Sequence, residues 1–198
     1  QIGLYRIGTL GDFRKLEHLE GISDTEEGVK FVNVDIENEV FKTGAEVPKN
    51  LASLGLIRCD DSSTNITLTN IHTTHTLIAP DAYIWCASTE KSAEVMSQFG
   101  GANTCVEIHD VPRFITVLNQ IMLTMDVIFL GVFEVQYRNR SENWERDSLG
   151  LHPALIKSLD FQLQKEVRAI WVPRHSDPIE PTHGRCDGLA NYCRVVAV

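Results

Sequence analysis

Residues Phe161 to Pro173 read F-Q-L-Q-K-E-V-R-A-I-W-V-P. Read as a strand, whose side chains alternate between faces, the run puts Gln162, Gln164, Glu166 and Arg168 on one side, with Val167, Ala169, Trp171 and Pro173 on the other. A sheet face turned to water would account for such a row. So would a cleft in which Glu166 does chemistry beside Gln164. Two other places set polar groups in strand-like surroundings: Arg6 in L-Y-R-I-G and Ser88-Thr89 in I-W-C-A-S-T-E. Each has a plain structural explanation on its own. A strand Arg snorkels, Ser-Thr before a helix caps it, and a strand Glu is solvated.

Rival chemistry is weaker. His175, His183, Cys186 and Cys193 are zinc-type ligands, but only H-G-R-C is tightly spaced, whereas structural zinc sites use C-x-x-C or H-x(3-5)-H pairs. Cys86 as a nucleophile would need a distant His, and I-W-C-A reads as core strand. The reading requires no metal.

The elements that must position these residues come next. Ile2 to Thr9 reads as a first strand with Arg6 near its end, turned by Gly11-Asp12. Phe13, Leu16 and Leu19 suggest a helix stopped by Gly21. Gly21 to Ser63, with acidic clusters at Asp24 to Glu27 and Asp60-Asp61, is assigned only short elements. Asn65 to Asn70 and Thr74 to Ala79 read as two strands joined at Ile71-His72-Thr73, and Pro80-Asp81 turns the chain into A-Y-I-W-C-A-S. Ser88 or Thr89 is expected to cap a helix with Glu90 in its first turn and Gly100-Gly101 at its end. A strand from Thr104 to Ile108, a helix from Pro112 to about Met125 and a strand from Val127 to Tyr137 follow. Arg138 to Ser148 is a polar loop; Lys157 to Leu159, Glu166 to Val172 and Leu189 to Val198 are strands. Clustered strands with few helices indicate an α+β domain.

The chain of 198 residues, 43% hydrophobic, can bury a core of its own, and residues 1–198 are read as a single domain. Its 18 Lys and Arg against 27 Asp and Glu give a net charge of -9, which disfavours broad attraction to nucleic acid or an anionic membrane. No run approaches the roughly 18 apolar residues of a membrane span. Five scattered cysteines, Cys59, Cys86, Cys105, Cys186 and Cys193, fit a reduced setting, so the expected location is cytoplasmic, with no membrane partner.

The order of the three polar places along the chain carries more than any one of them. An aromatic-Arg in the first strand, a Ser-Thr leaving a central strand and a Q-x-E entering a late strand resembles the Arg-Ser-Glu class of the ADP-ribosyltransferase superfamily. The resemblance spans nearly the whole chain on few residues. Glu90 stands where the family's third Ser-Thr-Ser residue would be, and the aromatic-Arg-Gly pattern is stretched to Tyr5-Arg6-Ile7-Gly8. The resemblance implies a split, strand-rich fold with an NAD-binding cleft. Arg6 would then bind the NAD phosphates or ribose, and Ser88, with Thr89, would shape the nicotinamide pocket. Glu166 would be the catalytic carboxylate and Gln164 would orient the acceptor, while Tyr83 or Phe99 could stack on nicotinamide. NAD would be a substrate and the acceptor a macromolecule, protein or nucleic acid. A toxin or phage-defence effector, with an antitoxin as partner, is the implied role. The chemistry agrees: nicotinamide loss develops positive charge on the ribose, which a nearby carboxylate stabilises, and a guanidinium presents paired donors to a pyrophosphate. The alternatives are a non-catalytic interaction or immunity-type domain in which Glu166 is only surface and, between the two, an NAD glycohydrolase.

Overall fold

The structure, a computed structural model, describes residues 3–15, 23–42, 49–57, 65–145 and 148–197. Its strands are β1 (Leu4–Thr9), β2 (Val29–Phe41), β3 (Ile66–Ile78), β4 (Tyr83–Ser88), β5 (Cys105–Ile108), β6 (Val127–Glu134), β7 (Gln136–Tyr137), β8 (Ser141–Asn143), β9 (Ile156–Lys157), β10 (Glu166–Pro173), β11 (Thr182–Arg185) and β12 (Cys193–Val196). The helices are α1 (Leu10–Phe13), α2 (Lys49–Ser53), α3 (Ala93–Ser97), α4 (Val111–Met122) and α5 (Asp187–Ala190). The fold is α+β.

The central sheet runs β11-β1-β4-β10-β6, each neighbouring pair antiparallel. One of its faces packs on α4. Phe114, Leu118 and Met122, spaced one helical turn apart, join Ile7, Tyr83, Ala169 and Trp171 in an apolar core. Pro112 sits in the first turn of this helix, as the sequence led us to expect, and Asp110 caps it by accepting the Arg113 N–H. The other face packs Leu10, Ala79, Ala82, Ile84 and Ala154 against Ile170. A third cluster lies between the β2–β3 ribbon and α2.

Several expectations need correction. The stretch assigned only short elements holds β2, a strand of 13 residues whose buried Val32, Val34 and Ile36 follow a period of two. The two strands expected between Asn65 and Ala79 are one strand, β3, paired along its length with β2. Ile71 packs on the apolar cluster while His72 faces outward beside Asp35, and the irregular point of the strand is Asn70, with φ 52°. The helix after β4 is α3, capped by Ser92 rather than by Ser88 or Thr89. Strand β11 was not foreseen, and the closing strand is preceded by α5. Of the helix expected from Phe13, Leu16, Leu19 and Gly21 lie outside the described residues, as do Cys59 and Asp60-Asp61.

Candidate active site

Strand β1 pairs with β4 at Gly8–Ile84 and Thr9–Tyr83, and with β11 along Leu4 to Ile7. Arg6 therefore lies where β1 has turned from one neighbour to the other. Next to it, β4 and β10 remain paired to their ends, with Glu166 opposite Ser88 and Arg168 opposite Cys86. A cavity of about 370 Å³ opens here, lined among others by Arg6, Phe13, Cys86, Ser88, Phe99 and Glu166.

On one wall, Arg6 is half exposed, ion-paired to the buried Asp12 and 5.9 Å from the centre of the Phe13 ring. Asp12 belongs to the turn that Thr9 caps, its N–H donating to Thr9 Oγ1 at 3.0 Å. Gly8 makes room for Phe13: a Cβ there would sit 2.7 Å from the ring's Cζ and force it away from the strand.

The opposite wall is a buried set of charges. Arg168, 1% exposed, grips both oxygens of Glu27 at 2.7 and 2.9 Å, and its Nε donates to Glu166 Oε1 at 2.6 Å. Lys157 Nζ donates to Glu166 Oε2 at 2.8 Å and to Gln164 Oε1 at 2.7 Å. The Glu166 N–H donates to Tyr137 Oη at 2.7 Å, while burial pushes the Tyr137 hydroxyl up to about 12.

Burial alone would raise the Glu166 carboxyl, yet Arg168 and then Lys157 outweigh it and hold it at about 2. Burial likewise works against charge on Arg168, and the Glu27 and Glu166 carboxylates outweigh that, keeping the guanidinium above its ordinary range. Glu166 is thus a permanent anion at neutral pH. It suits the stabilisation of positive charge and cannot serve as a general acid. Cys86 is exposed where it lines the cavity, opposite Arg168 in the β4–β10 register.

Of the residues singled out in the sequence, Arg6, Ser88, Phe99, Gln164 and Glu166 line the same cavity. Glu166 is not the open surface residue of the interaction-domain alternative, being 7% exposed. Ser88 donates to the Gln164 carbonyl at 2.7 Å, which ties the end of β4 to the turn before β10. Thr89 is exposed outside the cavity, with its N–H and hydroxyl both donating to the Lys165 carbonyl, so it braces that turn and lines nothing. Tyr83 is misassigned: it sits at the far end of β4, 4% exposed in the apolar core. The rings at the cavity are Phe13 and Phe99. Sequence reasoning missed Phe13, Glu27 and Lys157 and gave Arg168 no role. The two-residue spacing of Arg168 from Glu166 was the available signal, since strand neighbours at i and i+2 share a face.

A shallower recess of about 590 Å³ lies beyond Phe99, lined by Met96, Gly101, Asn103 and Cys105 among others, and none of its lining side chains is charged. Among the described residues no three His, Cys, Asp or Glu side chains gather as a metal site. His183 pairs across from Arg6 on β11, while Cys193 pairs with Ile108 on β5, in a separate sheet.

The chain matches no family model, no curated protein and no solved structure. No helix among the described residues is long and apolar enough to cross a membrane.

Proposed function

We propose that the chain is an NAD-dependent mono-ADP-ribosyltransferase that moves ADP-ribose to a macromolecular acceptor, protein or nucleic acid. The observation that supports this best is the convergence of Arg6, Ser88 and Glu166, far apart in sequence but on neighbouring strands of one sheet, on one cavity. Their order is that of the family the sequence resembles.

In this reading the Arg6 guanidinium meets the pyrophosphate, and Phe99 or Phe13 packs on the nicotinamide ring. The bond between the nicotinamide nitrogen and ribose C1′ breaks, its electron pair leaving with nicotinamide. Positive charge builds on the ribose beside Glu166, which is already ionised and held by fixed donors, so little reorganisation is needed. The acceptor's lone pair then forms the new bond to C1′, and its proton passes to solvent. Gln164, held next to Glu166, orients the acceptor. A cytoplasmic toxin or phage-defence effector, kept in check by an antitoxin, is the role that fits such chemistry.

One observation favours a second reading, a non-catalytic binding domain. Both Glu166 oxygens are already engaged by Lys157 and Arg168, so the set can be read as a neutral strut. Incubating the protein with labelled NAD and cell lysate, then digesting separately with protease and nuclease, decides between the two. Label that one digestion releases supports transfer and names the acceptor class. Free nicotinamide without macromolecular label points to NAD hydrolysis, and intact NAD throughout leaves the binding domain.

A further inference from the structure

Gln164 and Glu166 are two residues apart, yet strand geometry does not align them. Gln164 ends a 3-10 turn, Glu166 begins β10, and Lys165 between them takes a left-handed backbone, φ 49°. The rule that i and i+2 share a face does not operate across such a residue. Something else must bring the two side chains together.

We propose that Lys157 is the positioning residue of this site: a single ammonium group fixes Gln164 and Glu166 as one unit facing the cavity. Its two hydrogen bonds, 2.7 Å to Gln164 Oε1 and 2.8 Å to Glu166 Oε2, join the pair directly. The Phe161 ring lies 4.7 Å from Nζ and closes another side of the ammonium group. Backbone pairing holds Lys157 itself, since β9 runs parallel to β7 with Tyr137 opposite Lys157, and the Lys157 carbonyl accepts the Arg138 N–H at 3.1 Å. An ammonium donates only, so the Gln164 amide must turn its oxygen toward Lys157. The inference rests on the transfer reading for its functional meaning, but the geometry it assigns can be tested without turnover.

The groups around Glu166 define that test. Lys157 faces it from β9, Arg168 from β10, Cys86 from β4 and Tyr137 from β7, with Glu27 behind Arg168 and the neutral Gln164 on the preceding turn. The Lys157→Met variant keeps the apolar stem and removes the charge and donors, whereas Lys157→Arg keeps a cation. Carbon-13 NMR of the Glu166 carboxyl should show its midpoint rising by roughly 1 to 3 pH units in Lys157→Met. It should stay near the wild-type position in Lys157→Arg. A Lys157 that lies near the pair without donating to Glu166 would leave the carboxyl midpoint unmoved in Lys157→Met, and that result overturns the proposal. If Lys157→Met does not fold, the wild-type ammonium resonance decides. Protons protected from solvent that lose their protection in Gln164→Ala support the linkage, and an ammonium averaging freely with water contradicts it. Nicotinamide release is measured alongside: its absence from the wild type defeats the transfer reading while the titration still decides the role of Lys157.

Discussion

Strand β10 is buried in two different ways along its length. At its start Glu166 and Arg168 are 7% and 1% exposed, and they are held by Lys157, Glu27 and Tyr137. Near its end Trp171 is fully buried against Phe129, at 5.1 Å between ring centres, with Asn119 Oδ1 accepting its indole N–H at 2.9 Å. The apolar end gains stability from each contact separately, because area removed from water adds in small increments. The charged end is stable only as a complete set. Four desolvated ions cost more than their attraction returns unless every partner is present. An arrangement so intolerant of loss is a poor way to build a core and a good way to hold a carboxylate ionised beside a cavity.

The largest effects should come from breaking either end. Arg168→Met strands Glu27 and Glu166 without their shared cation and should lower unfolding free energy by about 3–5 kcal/mol. Trp171→Ala should cost a similar ~3–5 kcal/mol through the space it leaves. Adding Glu27→Gln should then restore part of the Arg168→Met loss, because it removes a stranded charge, but should do nothing for Trp171→Ala. Urea unfolding of the single and double variants measures this directly. Equal, additive losses at both ends would erase the distinction.

Acid should separate the two ends next. The folded Glu166 carboxyl, at about 2, lies below its ordinary value of 4.5, so its contribution is complete above about 4.5 and is lost as pH falls toward 2. Wild type should therefore melt at progressively lower temperature across that window, and a Glu166→Gln protein should show a shallower decline. Identical slopes for the two would mean that Glu166 is not held as described.

How far this contrast was legible in the sequence follows from the distances involved. The alternation of Q-x-E-x-R was visible, and it placed Glu166 and Arg168 together. Arg6 and Ser88 stood out as polar residues in strand-like runs, and both line the cavity. Glu27 was not, since its partner Arg168 is 141 positions away and nothing local marks an acidic loop residue as buried. Lys157 stood in an expected strand, but its bond to Glu166 depends on a turn through Lys165 that no periodicity encodes. Tyr83 shows the reverse error. An aromatic residue in a strand next to a site is as well suited to a core as to a ligand, and here the register puts it opposite Trp171.

The smallest effect on stability belongs to Arg6, which is itself half exposed, so its pair with the buried Asp12 should be worth about 1 kcal/mol. Its effect on binding should be larger. Arg6→Ala removes a charge-assisted donor at the cavity and should weaken NAD roughly tenfold to a hundredfold by calorimetry. Unchanged affinity would return Arg6 to a purely structural role.

The central claim is that the carboxylate at the charged end of β10 drives loss of nicotinamide. The direct measurement is nicotinamide release from NAD at neutral pH by wild type and by Glu166→Gln, with both shown to melt cooperatively. The account predicts release by wild type and a rate at least about a hundredfold lower in the variant, the scale expected when a fixed group that stabilises transition-state charge is lost. NAD recovered intact from the wild type, or equal rates from the two proteins, would contradict it.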